Sequence, residues 1–401
     1  MQFQTAMKFV ANFVQICNST VNMKRIGVFS LVIVIIFSSC STVRHEKKNP
    51  GISHLKFLSQ YAVPFNKEYD NTIIGGLSGI DFNPQKNEYY LISDDRSDKN
   101  PARFYTARVL VSENKIDSVV FTGTTFLKNR MGNFYPNSRQ DPAHTPDPEA
   151  LRYDPKNNTF IWSSEGERIV NSEKIILENP AVTEINTRGN YIDTFQLPRQ
   201  LHMQSTENGP RQNGVFEGLT FDDNYKNLFV SVEEPLYQDG PRAGTGDSTG
   251  IIRIIKFDMK TKKPIAQYAY QIDPVAYPPI TPSAFELNGI SDILWLGKNK
   301  LLVLERSYST GRLACTIKLF LTDLSTAGNI NDIFSLKNKP EVKIASKKLL
   351  LNMDSLGIYI DNIEGVTFGP KLSNGKRSLI FIADNNFNPL ERTQFLLFEI
   401  E

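Results

Sequence analysis

Glu217-Gly218-Leu219-Thr220-Phe221 is the stretch whose reading decides the fold, because the chain repeats its pattern. The pattern is an acid or serine, usually a small residue, an aliphatic, a variable position and an aromatic. It returns as Ser78-Gly79-Ile80-Asp81-Phe82, Glu149-Ala150-Leu151-Arg152-Tyr153, Ser291-Asp292-Ile293-Leu294-Trp295 and Glu364-Gly365-Val366-Thr367-Phe368. The copies lie about seventy residues apart, so the chain is a repeat array. Alternation of period two marks each copy as a strand.

A second column follows each copy, an apolar run that ends in an acid. The runs are Tyr90–Asp94, Ile161–Glu165, Phe229–Glu233, Leu301–Glu305 and Phe381–Asp384. Turn residues such as Pro155-Lys156-Asn157-Asn158 and Gly297-Lys298-Asn299 separate the two columns, so each pair is a hairpin. Further strands are expected at Ile251–Asp258 and Pro264–Ile272, and at Arg103–Leu110 and Asp117–Phe121. Four antiparallel strands per repeat make the blade of a β-propeller, and the fold class is all-β. The last repeat runs out after Phe395–Ile400 and lacks its fourth strand. Leu55–Val63 is expected to supply it, closing the ring and removing the exposed edges. The count is five four-stranded blades, or six if residues 322–353 hold a further unit.

If the first strand of each repeat lines the central channel, both columns open on one mouth. Their ten positions carry eight acids: Glu149, Glu217, Glu364, Asp94, Glu165, Glu233, Glu305 and Asp384. Like charges brought that close raise one another's pKa, so a positive partner must answer them. One answer is a hard cation such as Ca²⁺, which takes six to eight oxygen ligands. Glu149, Glu217, Glu364, Asp94 and Glu165 are the candidate ligands, and the first-column glutamates Glu149, Glu217 and Glu364 are expected to converge on one ion. The other answer is arginine. Arg96, Arg168 and Arg306 follow the second column by one to three residues and are candidate phosphate-binding groups. A third reading makes these acids and arginines inter-blade stitching. Long connections at 128–148 and 201–216 enter the same face and bring His144 and His202, each a general acid or base or a solvated loop residue. Gly244-Thr245-Gly246-Asp247 lacks the lysine of a phosphate loop, and neither GxSxG nor HExxH occurs.

Net charge is +2 over 401 residues, without a basic stripe, so nucleic acid is not an expected partner. The three cysteines are Cys17, Cys40 and Cys315, which cannot build a disulfide framework or a CxxC zinc site. Cys315, in an apolar run, reads as a buried structural thiol. Met23-Lys24-Arg25 followed by apolar Ile26–Phe37 reads as a signal peptide, too short to span. Ser38-Ser39-Cys40 resembles a bacterial lipobox, which makes Cys40 the lipidation site and Met23 the expected start. Residues 1–40 are thus a targeting region, 41–53 a polar tether and 54–401 the propeller. The protein is expected to be exported and lipid-anchored to the cell envelope, at the outer membrane on its periplasmic or surface side.

The ordered set Glu149-Ala150-Leu151, Glu217-Gly218-Leu219, Glu364-Gly365-Val366, Ser93-Asp94-Asp95-Arg96 and Ser164-Glu165-Gly166 resembles the phytase-like family, exported propellers with an esterase-like activity. The resemblance covers roughly residues 55–401 and implies calcium-dependent hydrolysis of a phosphoester. The Asp-Asp-Pro-Ala-Ile/Val-Trp segment of calcium-dependent propeller phytases is missing; Asp141-Pro142-Ala143 is only a fragment of it. Two functions follow as expectations: a metal-dependent phosphoester hydrolase acting on a small-molecule ester, or a non-catalytic propeller that holds a ligand or protein partner.

Overall fold

A computed structural model describes residues 51–401. The targeting region, Cys40 and most of the tether lie outside these residues. Strand β1 (Leu55–Val63) comes first, then a small hairpin of β2 (Glu68–Tyr69) and β3 (Thr72–Ile73). Blade 1 is β4 (Leu77–Asn83), β5 (Glu88–Ser93), β6 (Arg103–Ser112) and β7 (Lys115–Phe126). Blade 2 begins with β8 (Pro148–Asp154) and β9 (Thr159–Ser164). It is interrupted by a two-stranded insertion, β10 (Glu167–Val170) and β11 (Ile175–Glu178), and resumes with β12 (Ala181–Asn186) and β13 (Tyr191–Thr194). Blade 3 is β14 (Phe216–Phe221), β15 (Asn227–Val232), β16 (Gly250–Asp258) and β17 (Pro264–Ile272). Blade 4 is β18 (Glu286–Gly297), β19 (Lys300–Ser309), β20 (Thr316–Asp323) and β21 (Ser346–Asn352). Blade 5 is β22 (Asn362–Phe368), β23 (Ser378–Asp384), β24 (Thr393–Ile400) and, from the other end of the propeller, β1. No helix of the described residues is long and apolar enough to cross a membrane.

The ring closes as the missing fourth strand requires. Leu55 pairs with Ile400 and Val63 with Thr393, antiparallel, with one slip between Phe57 and Ser59. Residues 322–353 hold no sixth blade. Their C-terminal part is β21, and Ile330 and Leu336 before it pack on Ala269 of blade 3. The tight turns of the inner hairpins use left-handed residues, among them Asn87, Asn158 and Asn299, where an L-residue with a short polar side chain is least strained.

The first strand of every repeat lies innermost, and the apolar core sits between neighbouring blades. Ile80 and Leu91 of blade 1 share a cluster with Ile380, Ile382 and Phe395 of blade 5, and Phe229 of blade 3 stacks on Trp295 of blade 4 at 4.9 Å. The small second position of the repeat is a demand of this ring. A Cβ on Gly218 would lie 2.6 Å from Asp292 Cα and from Ile293 N, and one on Gly79 would lie 2.8 Å from the Glu149 carbonyl oxygen. Asp292, the exception in this column, is used differently. Arg152 of blade 2 crosses the channel and donates through Nη2 to both Asp292 carboxylate oxygens, at 2.9 and 2.8 Å. Its Nη1 donates to Ile80 O of blade 1 at 2.6 Å and its Nη2 to Val366 O of blade 5 at 3.3 Å. This buried pair plugs the axis, so the acid mouth and the cavity of about 520 Å³ at the other end are separate spaces.

Candidate functional site

Each inner strand carries a β-bulge at the first column. Pairing slips between Leu77 and Gly79, Pro148 and Leu151, Phe216 and Leu219, Ile290 and Asp292, and Ile363 and Gly365. A bulge re-aims the side chain it displaces, and bulges gather beside functional sites. Part of the backbone freed by the slip is met by a serine of the second strand. Ser163 Oγ accepts from Ala150 N at 3.0 Å, and Ser231 Oγ accepts from Gly218 N at 3.2 Å. The serines of the first column stitch blades together: Ser78 Oγ donates to Glu149 O at 2.6 Å, and Ser291 Oγ to Ile363 O at 3.3 Å.

Register corrects one member of the second column. Ile290 pairs with Glu305, as Leu77 pairs with Ser93 and Ile363 with Ala383, so Arg306 stands where the other blades place Asp94, Glu165, Glu233 and Asp384. Glu305 turns away from the mouth. It accepts from Tyr270 OH at 2.7 Å, Asp273 N at 2.9 Å and Asn288 Nδ2 at 2.9 Å, and pairs with Lys347 at 2.7 Å. The blade 4 hairpin is one residue shorter than those of blades 1 to 3, which brings an acid, Glu305, in line by spacing one position before the mouth.

The substitution of arginine for an acid makes the mouth asymmetric. Arg306 forms ion pairs with Glu233 at 2.9 Å and Glu364 at 3.0 Å, and donates to Asn362 Oδ1 at 2.6 Å. Burial alone would lower this guanidinium, but Glu364, Glu233 and Glu217 hold it far above its usual range. The three first-column glutamates are therefore divided. Glu364 belongs to Arg306, while Glu149 and Glu217 meet Glu165 with one oxygen of each within 4.8 Å of the others. A second group of the same kind, Asp94, Asp147 and Glu149, shares Glu149 with the first. Asp147 was not among the expected ligands. It enters from the long connection, two residues before the repeat begins, and its proximity to Glu149 in sequence is the signal that could have found it.

Glu149 and Glu217 are 7 % and 6 % exposed, and their carboxylates receive no hydrogen bond from any described residue. Burial first, then Asp94, Glu217 and Asp147, hold the Glu149 carboxyl well above the usual range. Glu217 is pushed the same way by burial, Glu233 and Glu165, and Glu165 by burial and Glu233. Asp94 is raised by burial and by Asp147, to which its carboxyl is hydrogen-bonded. Burial also raises Asp384, with Glu364 beside it, and the amide of Asn386 donates to Asp384 Oδ1 at 2.9 Å. Glu233, which has Arg306, is pushed up only to about 7, burial outweighing the arginine. Glu165 accepts from Val215 N and Asp94 is bonded to Asp147, while Glu149 and Glu217 have no donor; two all-oxygen groups without nitrogen or sulfur could hold a hard cation.

The candidate phosphate-binding arginines fall into two kinds. Arg96 is held by Glu167 at 2.6 Å and lies 3.8 Å from Asp147, and Arg306 is held as described. Arg168 instead donates to the carbonyls of Gln204 and Thr206, at 3.0 and 3.2 Å, and lies over the Tyr237 ring at 4.9 Å. Arg211 lies on the same ring at 4.2 Å. His144 is exposed and bonded to Asp141 at 2.8 Å, and His202 faces Asn179 at 3.5 Å; neither bonds a mouth carboxylate. Cys315 is buried, and burial pushes its thiol up to about 12.

No curated protein matches this sequence. Solved structures with a similar chain course include an α-L-arabinofuranosidase from Lactobacillus brevis, 10 % identical, covering 84 % of this chain and 94 % of that one at a TM-score of 0.43. An arabinanase from Bacillus subtilis is 13 % identical, covering 84 % and 97 %, at 0.38. A gluconolactonase from Xanthomonas campestris is 8 % identical, covering 80 % and 71 %, at 0.33. The phytase-like family, described as esterase-like activity of phytase, matches residues 72–387. With that span over most of the five-bladed ring, the chain belongs to the phytase-like family.

Proposed function

We propose that this propeller is a calcium-dependent hydrolase of a small-molecule phosphoester, acting outside the cytoplasm and anchored through Cys40. The observation that carries the reading is the pair of carboxylate groups that share Glu149. Asp94, Asp147 and Glu149 would hold one ion, and Glu149, Glu165 and Glu217 another. Ca²⁺–oxygen distances of about 2.3–2.6 Å allow two ligand oxygens to stand up to roughly 5 Å apart, which suits both groups. A divalent cation there would neutralise the carboxylates, polarise the ester and lower the pKa of bound water.

The chain's own residues prepare the site in three ways. Burial, the neighbouring Asp147 charge and the hydrogen bond between the two carboxyls hold Asp94 well above its usual range, so protons compete for this group. Metal affinity should therefore rise with pH, because these protons compete with the cation. Arg306 fixes Glu233 and Glu364 and keeps them out of the ligand set. Arg168, whose partners are carbonyls and a tyrosine and not carboxylates, would receive the phosphate, with Arg211 on the same ring adding a second positive charge.

Calorimetric titration of chelator-treated protein with Ca²⁺ tests the reading, alongside hydrolysis of a generic phosphoester with and without chelator. Binding should be lost in Glu149→Gln, because both groups lose a ligand, and turnover should be chelator-sensitive. Absence of Ca²⁺ binding in the wild type would make the mouth structural. Binding without turnover of any ester would favour a propeller that only holds its ligand.

A further inference from the structure

The cavity of about 520 Å³ at the end of the channel away from the acid mouth is lined by the last two columns of the repeat on all five blades. The aromatic column is a demand of the ring. Phe82, Tyr153, Phe221, Trp295 and Phe368 each pack against a different one of the five clusters between neighbouring blades. The variable column beside it supplies Asp81, Arg152, Thr220 and Thr367, four groups that can hydrogen-bond, with Leu294 as the exception. Aromatic walls, a few placed polar groups and a volume between about 300 and 1,000 Å³ are the marks of a small-molecule site.

Several of the polar groups lack a partner. Arg152 Nε and Trp295 Nε1 are buried without an acceptor. The hydroxyls of Thr367 and Tyr225 make no hydrogen bond to a described residue. The Arg377 guanidinium, at the rim, lies over the Phe368 ring at 4.3 Å and pairs with no carboxylate. Thr220 Oγ1 accepts from Trp295 N at 3.0 Å, which leaves its own proton to donate. Asp81 takes only backbone amides, Tyr153 N at 2.8 Å among them. Burial raises its carboxyl to about 6 against the pull of Arg152, so at neutral pH it is still an acceptor. Two rings also keep one face open. Phe82 stacks on Tyr89 at 4.5 Å and Trp295 on Phe229 at 4.9 Å, and both stay half-buried where they line the cavity.

This inventory selects among ligand classes. An apolar molecule would leave the donors and acceptors buried and unpaired, which is costly. An anion would meet Asp81, Asp222 and Asp223 while Arg152 is already spent on Asp292. A cation would meet Arg377 and give nothing to the indole N–H of Trp295. A neutral ring that carries hydroxyls serves donors and acceptors alike, and its C–H face suits the negative face of an aromatic ring. We propose that this cavity is a second binding site, for a neutral polyhydroxylated ring such as a pyranose, stacked on an open aromatic face and hydrogen-bonded by Asp81, Thr367, Tyr225 and Arg377. The Arg152–Asp292 plug separates it from the acid mouth, so the proposal stands apart from the hydrolase reading.

The test titrates the full chain with methyl glycosides of glucose, galactose, mannose and xylose, and with short oligosaccharides of the same sugars. Saturation-transfer NMR reads binding, and tryptophan emission places it. Trp162, the only other tryptophan, is buried between blades 1 and 2, so a change in emission reports Trp295. Saturable binding with a shift in emission is expected for at least one sugar. Thr367→Val and Tyr225→Phe delete hydroxyls that have no partner, so each should leave the thermal melt unchanged. Each should weaken binding about fivefold, the loss of one neutral hydrogen bond. Binding of the methyl glycosides would mark a free sugar or a chain end as the ligand, and binding of the oligosaccharides alone an internal unit of a glycan; both support the site. No saturable binding of any sugar, or binding that ignores both variants, would overturn it. Tighter binding of benzoate or tetramethylammonium than of every glycoside would overturn the ligand class.

Discussion

Replacing Arg306 with glutamine removes the one cation in the ring of mouth residues, and the consequence depends on pH in a way the geometry specifies. The wild-type side chain pairs with Glu233 at 2.9 Å and Glu364 at 3.0 Å. Breaking a buried pair by removing one partner costs about 3–5 kcal/mol when the orphaned group is charged. Glu233 is raised from 4.5 to about 7 with Arg306 present. A carboxyl raised on folding contributes stability that is complete below its unfolded pKa and is lost as pH rises through its folded pKa. Without Arg306 the folded pKa is higher still, so below pH 7 the two proteins carry nearly the same protonated carboxyl. The gap between them should be small at pH 5.5, about the 1 kcal/mol of a neutral hydrogen bond. Above pH 7 it should open by up to about 1.4 kcal/mol per pH unit from Glu233 alone, or about 2 kcal/mol by pH 8.5. Glu364 is raised too and adds in the same direction. Urea denaturation of both proteins in chelator-containing buffer at pH 5.5 and 8.5 measures the gap. An equal gap at the two pH values would refute the assignment of Arg306 as the counter-charge of the mouth.

Gly218→Ala should destabilise the ring by about 1–3 kcal/mol or more, because its Cβ meets backbone atoms of blade 4 at 2.6 Å; a thermal melt reads this directly. Arg152→Met should cost about 3–5 kcal/mol by leaving Asp292 charged in the channel, and adding Asp292→Asn should recover a large part, as a double-mutant cycle by denaturation would show. Deleting residues 51–63 should abolish the cooperative melt and yield aggregates by size-exclusion chromatography, since β24 becomes an open edge. Cys40→Ser should give protein without the lipid mass increment and shift it from the membrane to the soluble fraction; unchanged fractionation would count against the lipobox.

The ring was legible in the sequence because its inner strands meet one another, and close approach imposes the same small residue and the same aliphatic on each blade. The closing strand was legible from the strand missing at Ile400. What spacing could not show was which residue of β19 faces the mouth, because a bulge and a hairpin one residue shorter shift the register, and Glu305 and Arg306 are neighbours. The loss of Glu364 from the cation group follows from that same shift, since Arg306, together with Asn362 Nδ2, holds its carboxylate. Asp147 comes from a connection outside the repeat. The β10–β11 hairpin, which brings Glu167 to Arg96, is an insertion peculiar to blade 2 and so had no other copy to align with. A pocket between blades 4 and 5 draws on both β19 and the connection after β23, segments far apart in the chain that meet only where the two blades pack.

The seam in blade 5 also fixes the timetable by which this molecule can fold. β1 finds its partner only when β24 has been made, so the first strand of the described residues waits for the last. Contacts of such long sequence separation slow folding, and the entropy of closing so large a loop must be met before any of them forms. Once formed, the seam places the two ends side by side: Glu401 N donates to His54 O at 3.0 Å, and Ser53 N to Glu401 O at 2.9 Å. Joining residues 54 and 401 and cutting the chain in the exposed stretch around Thr245–Ser248 would move the seam from blade 5 to blade 3 while keeping every blade. Such a circular permutant would let blades 4, 5, 1 and 2 form in order along the nascent chain, with the last interlock now made between β15 and β16.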